Sequence, residues 1–277
     1  MILTEPKKVN TLTNAFEFRE TRNYPILSLC DDINTYVVKH NRAQTPCDRL
    51  AIELIAHYFL KIWKINTPEI AIVDVDPQHV RHFNNTQIQE AFFRLPCIGS
   101  HFFKDAIEFN HFFGSIKSYE KSKFADVNDF LKLALFDIWM ANEDRTANNP
   151  NFLIQPKHKK YHVMAIDHES CFNSGTFNQP LAPLTLEDSI LYHKAIKHIL
   201  SRKQTEKANL DILIQEMYLC IKRCVNHTDE ILSYIPLEWD VSVDKIKQKL
   251  KNNLFTKDWL LICERTFKEH INTAFTS

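Results

Sequence analysis

The sequence predicts an α+β fold, with its strands gathered early in the chain and its helices behind them. Three observations predict it. Short runs rich in β-branched and aromatic residues cluster before residue 104. Apolar residues at helical spacing dominate after residue 127. A pair of apolar runs, Phe152–Ile154 and Tyr161–Ile166, flanks the basic turn Lys157-His158-Lys159-Lys160 and reads as a hairpin set among the helices.

Taken in order, residues 1–24 are polar, with a short strand at Phe16–Arg19. Pro25–Cys30 and Thr35–Lys39 read as an antiparallel hairpin across the turn Asp31–Asn34. A helix starts near Thr45-Pro46-Cys47-Asp48, and Leu50, Ile52, Leu54, Ile55, Tyr58, Phe59 and Ile62 give it a broad apolar face. Glu69–Val75 is a strand, Gln78–Asn85 a short helix, and the second half of Phe92–Phe103 a strand leading onward. Residues 104–125 have no clear period. Val127–Met140 is apolar nearly all round and reads as a buried helix. Residues 173–184 form a loop. Helices follow at Leu186–Leu200, Leu210–Val225, Val243–Leu254 and Trp259–Ile271.

At 277 residues the chain can bury a full core. Its 34 basic and 34 acidic residues cancel, so no strongly electrostatic partner such as duplex nucleic acid or an anionic membrane is expected. The lysines from Lys245 to Lys251 read as a solvated helix face. No apolar run reaches the roughly 18 residues of a membrane span, and no signal peptide is read at the start. Seven scattered cysteines form no disulfide framework, and a reducing cytoplasm is expected. Cys220 and Cys224 sit at helical spacing but read as ordinary thiols. With three glycines there is no GxGxxG and no Walker A.

The chemistry centres on Asn142 to Asp167. Asp144, Asn149 five residues on, and Asp167 after the second hairpin strand have the spacing used in phosphoryl transfer. There one acid orients the attacking hydroxyl while the amide and the second acid hold magnesium, a hard cation that takes oxygen ligands. Pro150 favours an extended Asn149. Read alone, the stretch is equally a polar loop, since Asn and Asp are favoured turn residues. Glu53 lies within the apolar register of its helix and needs a partner. Lys39, ending a strand, is the candidate; such a Lys–Glu pair grips nucleotide phosphates in kinases.

With these residues in view, the chain resembles the HipA-like kinase family, in its short form, over about residues 25–265. The matching pieces are Tyr36-Val37-Val38-Lys39, Ile52-Glu53-Leu54-Ile55-Ala56, Gly99-Ser100-His101, Phe136–Asn142, Asp144-Arg145 with Asn149, Ile166-Asp167-His168, and Ile235-Pro236-Leu237-Glu238-Trp239. The resemblance implies a two-lobed, protein-kinase-like fold, also related to phosphoinositide kinases. A small antiparallel-sheet N-lobe would occupy residues 1–100, and a mainly helical C-lobe, residues 101–277, would carry the catalytic loop and metal-binding hairpin. It implies ATP and magnesium as cofactors, transfer to a hydroxyl of a protein Ser or Thr, an unknown phosphoacceptor, and an antitoxin-like protein as a partner. Carried over by position, Asp144 is the catalytic acid/base, Asn149 and Asp167 are magnesium ligands, and Lys39, supported by Glu53, binds phosphate.

Two departures stand out. Thr146 replaces the His usual in the family's Asp-Arg-His loop, which bears on loop rigidity and rate. Asn148 sits beside Asn149; the spacing favours Asn149 as the metal amide. The alternatives are an inactive kinase fold acting as a binding module, a metal hydrolase using His158, His162 and His168, and a nucleic-acid binder.

Overall fold

The structure is a computed structural model and describes residues 2–18, 24–83, 88–115, 122–175, 180–200 and 202–275. A six-stranded sheet opens the chain. Its strands are β1 (Lys7–Asn10), β2 (Phe16–Glu17), β3 (Ile26–Leu29), β4 (Thr35–Lys39), β5 (Ile70–Asp74) and β6 (Cys97–His101), in the order β1-β5-β6-β4-β3-β2. Every pairing is antiparallel except the edge pair β1–β5. The Pro25–Cys30 and Thr35–Lys39 hairpin forms as expected, with Leu27 opposite Val37.

Alternation of side chains gives the sheet two faces. Val9, Ile26, Val38, Ala71 and Val73 pack together on one. Ile70, Ile72 and Ile98 join the larger core through α1 (Asp48–Ile62) on the other. Gly99 sits in the crowded middle of β6, between β4 and β5. A Cβ there would lie 2.6 Å from Val73 Cγ2 and 3.1 Å from Tyr36 Cβ, so only glycine fits without displacing its neighbours.

Helix α1 is buried on all sides from Leu50 to Leu60, more than one apolar face requires. Each large aliphatic side chain so removed from water contributes about 1.5–3 kcal/mol. Strand β7 (Ile107–Glu108) and helix α2 (Phe109–Ser115) fill part of the stretch without period. Helix α3 (Asn128–Met140) is buried as its sequence predicts, and Ala141 ends it with φ 49°, in the left-handed region. Then come β8 (Phe152–Lys157) and β9 (Lys160–Ala165), paired as the predicted hairpin, with β7 on the outer edge of β8.

The remainder is helical: α4 (Cys171–Gly175), a turn broken by left-handed residues, α5 (Lys194–Ile199), α6 (Arg202–Thr205), α7 (Lys207–Ser233), α8 (Val243–Lys249) and α9 (Lys257–Phe275). Three expectations change. The helix over 186–200 is a 3-10 turn, Ile190–Tyr192, and α5, separated by extended His193, whose Nδ1 accepts the Ala195 N–H and so restarts the helix. The helix at 243–254 becomes a π-helical turn at Leu250–Leu254. The expected short helix at 78–85 is a 3-10 turn at Pro77–His79, capped by Asp76; residues 84–87 lie outside the described residues, as does Arg19 of the first expected strand. No helix among the described residues is long and apolar enough to cross a membrane.

The C-terminal half reaches back to the sheet through Trp239, which is fully buried. Its Nε1–H donates to the Pro96 carbonyl at 2.7 Å, and its carbonyl accepts the Cys47 N–H at 2.9 Å. One residue thus ties the lead-in of β6 to the start of α1.

Candidate active site

Lys39 closes β4 on its half-buried face, the face it shares with Thr35 and Val37. Glu53 lies on the second turn of α1, 3 % exposed. Lys39 Nζ is 3.0 Å from Glu53 Oε2 and 2.7 Å from Asp167 Oδ1. The same Glu53 oxygen accepts the His168 backbone N–H at 2.7 Å. A cation and an amide therefore satisfy a carboxylate that could not otherwise be buried. Burial alone would lower the Lys39 pKa, but Asp167, Glu53 and Glu169 together lift it above its ordinary value.

Asp167 follows β9 with φ 58°. That left-handed turn is tolerated by Asp better than by most residues. With it the carboxylate meets Lys39 of β4, and the next N–H meets Glu53 of α1. Glu169 stands beside them, its pKa raised by burial against the pull of Lys39 and Arg49. Arg49 Nη1 reaches Glu169 Oε1 at 3.5 Å.

The loop between α3 and β8 hangs on Arg145, which is wholly buried. Its guanidinium donates to Asp137, to the carbonyls of Asn151 and Ile166, and to His168 Nδ1 at 2.8 Å. The fork geometry of Arg suits several acceptors at once. Asn142 Nδ2 donates to the same Asp137 oxygen at 3.1 Å. Burial pushes the Asp137 carboxyl up to about 6, against the pull of Arg145 and Asn142. Burial, helped by Arg145 and Lys39, holds the His168 pKa well below its ordinary value. Since Nδ1 faces a donor, the network assigns the proton of this neutral imidazole to Nε2.

Asp144 is half-buried, and its Oδ2 accepts from Asn151 Nδ2 at 3.0 Å. Asn149 is exposed, with Nδ2 on the Asp144 carbonyl at 3.2 Å. Thr146 Oγ1 accepts the N–H groups of both Asn148 and Asn149, each at 3.2 Å. The residue that departs from the family pattern therefore holds the turn closed, as Ser and Thr hydroxyls do in loops.

Of the residues predicted from sequence, Lys39, Glu53 and Asp167 meet in direct contact. Asp144 and Asn149 make no direct bond to Asp167 among the described residues. Their loop is joined to it one residue away, through Arg145 to the Ile166 carbonyl and the Ile166 N–H to the Asn151 carbonyl at 3.0 Å. Asn151, Glu169 and Arg49 were missed from the sequence. So were the roles of Asp137 and His168, although Asp137 within the otherwise apolar run Leu133–Met140 signals a buried charge in need of a partner.

The Asn149 amide and the Asp167 carboxylate are hard oxygen donors of the kind magnesium takes. The Asp167 side chain is 30 % exposed, so a cation can approach it. No group of three or more His, Cys, Asp or Glu able to hold a metal exists among the described residues. A metal here would draw its other ligands from phosphate and water. His158 stands exposed on the β8–β9 turn while His168 is buried on Arg145, so the histidines read as a hydrolase set are not brought together.

A family model described as HipA-like kinase matches residues 16–270. No curated protein matches the chain. Among solved structures, the chain is similar to a Helicobacter pylori proinflammatory kinase, CtkA, at 13 % identity and a TM-score of 0.51, over 95 % of this chain and 98 % of that one. It also matches a Golgi casein kinase with Mn and ADP bound, at 10 % identity and a TM-score of 0.39, over 98 % of this chain and 74 % of that one. The first likeness bears on the fold alone. With the sheet and helices above, it gives a two-lobed, kinase-like α+β architecture.

Proposed function

The chain belongs to the HipA-like kinase family, and on that premise we propose that it transfers the γ-phosphoryl group of ATP, with magnesium, to a hydroxyl of a protein Ser or Thr. The observation that carries this reading is Lys39 held between Glu53, 14 residues on, and Asp167, 128 residues on. The proposed cleft lies between residues 1–100 and residues 101–277. Seven free cysteines support a cytoplasmic setting.

Lys39 binds phosphate oxygens, and Glu53 keeps it aimed. Asp167 and Asn149 hold the magnesium ion, which when bound neutralises phosphate charge. Asp144 orients the acceptor hydroxyl and takes its proton. The hydroxyl oxygen bonds to the γ-phosphorus as the bond to the bridging oxygen breaks, leaving ADP. Asn151 fixes one Asp144 oxygen, and the buried Arg145 network holds the loop in register with the hairpin.

The test is incubation of the purified chain with labelled ATP, magnesium and a cell extract. Magnesium-dependent labelling of protein, absent with Asp144→Asn, is the expected result. ATP binding without any transfer would leave a binding module instead. No magnesium-dependent nucleotide binding by calorimetry would overturn the reading altogether.

A further inference from the structure

A cavity of about 580 Å³ lies away from this cluster. Its wall includes Asp48 at the start of α1, Pro180, and Lys245, Gln248, Lys249 and Asn252 on α8 and the π-helical turn. None of Lys39, Glu53, Asp144, Asn149 and Asp167 lines it. Its volume falls within the range of small-molecule sites, roughly 300–1,000 Å³.

Lys249 decides what the cavity takes. From the sequence it reads as part of a solvated lysine face, yet it is only 9 % exposed. No ion pair or hydrogen bond to its ammonium exists among the described residues, and Nζ is not sealed from solvent. Burial alone shifts its pKa, downward, with no neighbouring charge to offset it. Lys245 differs, because it faces the Asp48 carboxyl, whose pKa is raised by burial and eased by that lysine. Asp240 is the other carboxylate of the wall, and it is exposed. The stem of Lys249 is thus buried while its ammonium opens onto the cavity without a partner. The π-helical turn begins at the next residue, and Asn253 Nδ2 donates to the Lys249 carbonyl at 3.2 Å. Such turns recur at functional sites.

We propose that this cavity binds a small polar molecule through an anionic head, phosphate or carboxylate, held by Lys249 with the amides of Gln248 and Asn252. The cation supplies charge, and the amides supply directed donors.

The experiment is calorimetry on the full chain, in which dependence on Lys249 separates this site from Lys39. Inorganic phosphate and succinate are titrated separately. Saturable 1:1 binding of at least one anion is expected, weakened at least about tenfold by Lys249→Met, a loss of about 1.4 kcal/mol. Asn252→Leu, at an exposed position, should weaken it too and covers the case in which the Lys249 variant fails to fold. Binding of phosphate alone or succinate alone supports the site and names the head group. Binding of neither anion, or unchanged binding in both variants, overturns it.

Discussion

Arg145 and Asp137 form an ion pair closed to water: Nε lies 3.0 Å from Oδ2, with the side chains 0 % and 3 % exposed. Removing one member leaves the other charge buried and alone, which costs about 3–5 kcal/mol. Arg145→Leu should therefore lower stability by that amount in urea denaturation. A loss below about 1 kcal/mol, the scale of an exposed pair, would show that the pair does not anchor the loop.

Asp144→Asn should abolish phosphoryl transfer while leaving nucleotide affinity within a few-fold of wild type. Its carboxylate is proposed to meet the hydroxyl, not the metal. Asp167→Asn should lose both, because Asp167 is proposed to supply a charged oxygen ligand to the magnesium ion that nucleotide binding would need. Calorimetry with magnesium and ATP, beside a transfer assay, separates the two. Equal loss of affinity in both variants would reverse the roles assigned here.

Thr146→Ala removes the acceptor for two backbone N–H groups. The loop should loosen by about 1 kcal/mol, the typical value for losing a side-chain cap. The expected result is a lower transfer rate with nucleotide affinity little changed, and recovery in Thr146→Ser, which keeps the hydroxyl. A Thr146→Ser rate as low as that of Thr146→Ala would separate the loop's order from this oxygen.

Acid should destabilise the fold through its buried histidines. His57 and His168 are held well below the ordinary 6.5, chiefly by burial. Below pH 6.5 the unfolded chain takes up protons that the folded chain refuses, so stability falls as pH falls. Each such His contributes up to about 1.4 kcal/mol per pH unit. Asp129 and Asp137, raised from 3.8 to about 6, act in the opposite direction between those values, since the folded chain keeps their protons longer. Comparing wild type with His57→Leu cancels that contribution. The variant should lose stability less steeply between pH 6.5 and 5, and parallel curves would discount His57.

What could be read from the sequence was local. Lys39 ends a run of alternating β-type residues, and Glu53 interrupts a helical one, so each placed itself. Strand β1 could not be read that way. Lys7, Lys8 and Asn10 are exposed, only Val9 is buried, and the strand's partner, β5, lies some sixty residues on. The helix over 186–200 failed because Ser189 and His193, polar residues within an apolar period, cap two short turns instead. The Arg145 network was hidden for another reason. Two of its four acceptors are main-chain carbonyls, and no residue type announces where those point.

Trp239 also bears on how the chain reaches its fold. Its bond to Pro96 spans 143 residues, so this third tie between the sheet and α1, beside the Lys39–Glu53 pair and the Ile70, Ile72 and Ile98 packing, forms only when nearly the whole chain is available. Contacts this distant in sequence slow folding, because a large loop must close before they form. Until α4 and α7 are available, the side of α1 turned away from the sheet has nothing to cover it. Trp239→Ala should accordingly slow refolding as well as lower stability, and residues 1–100 made alone should aggregate.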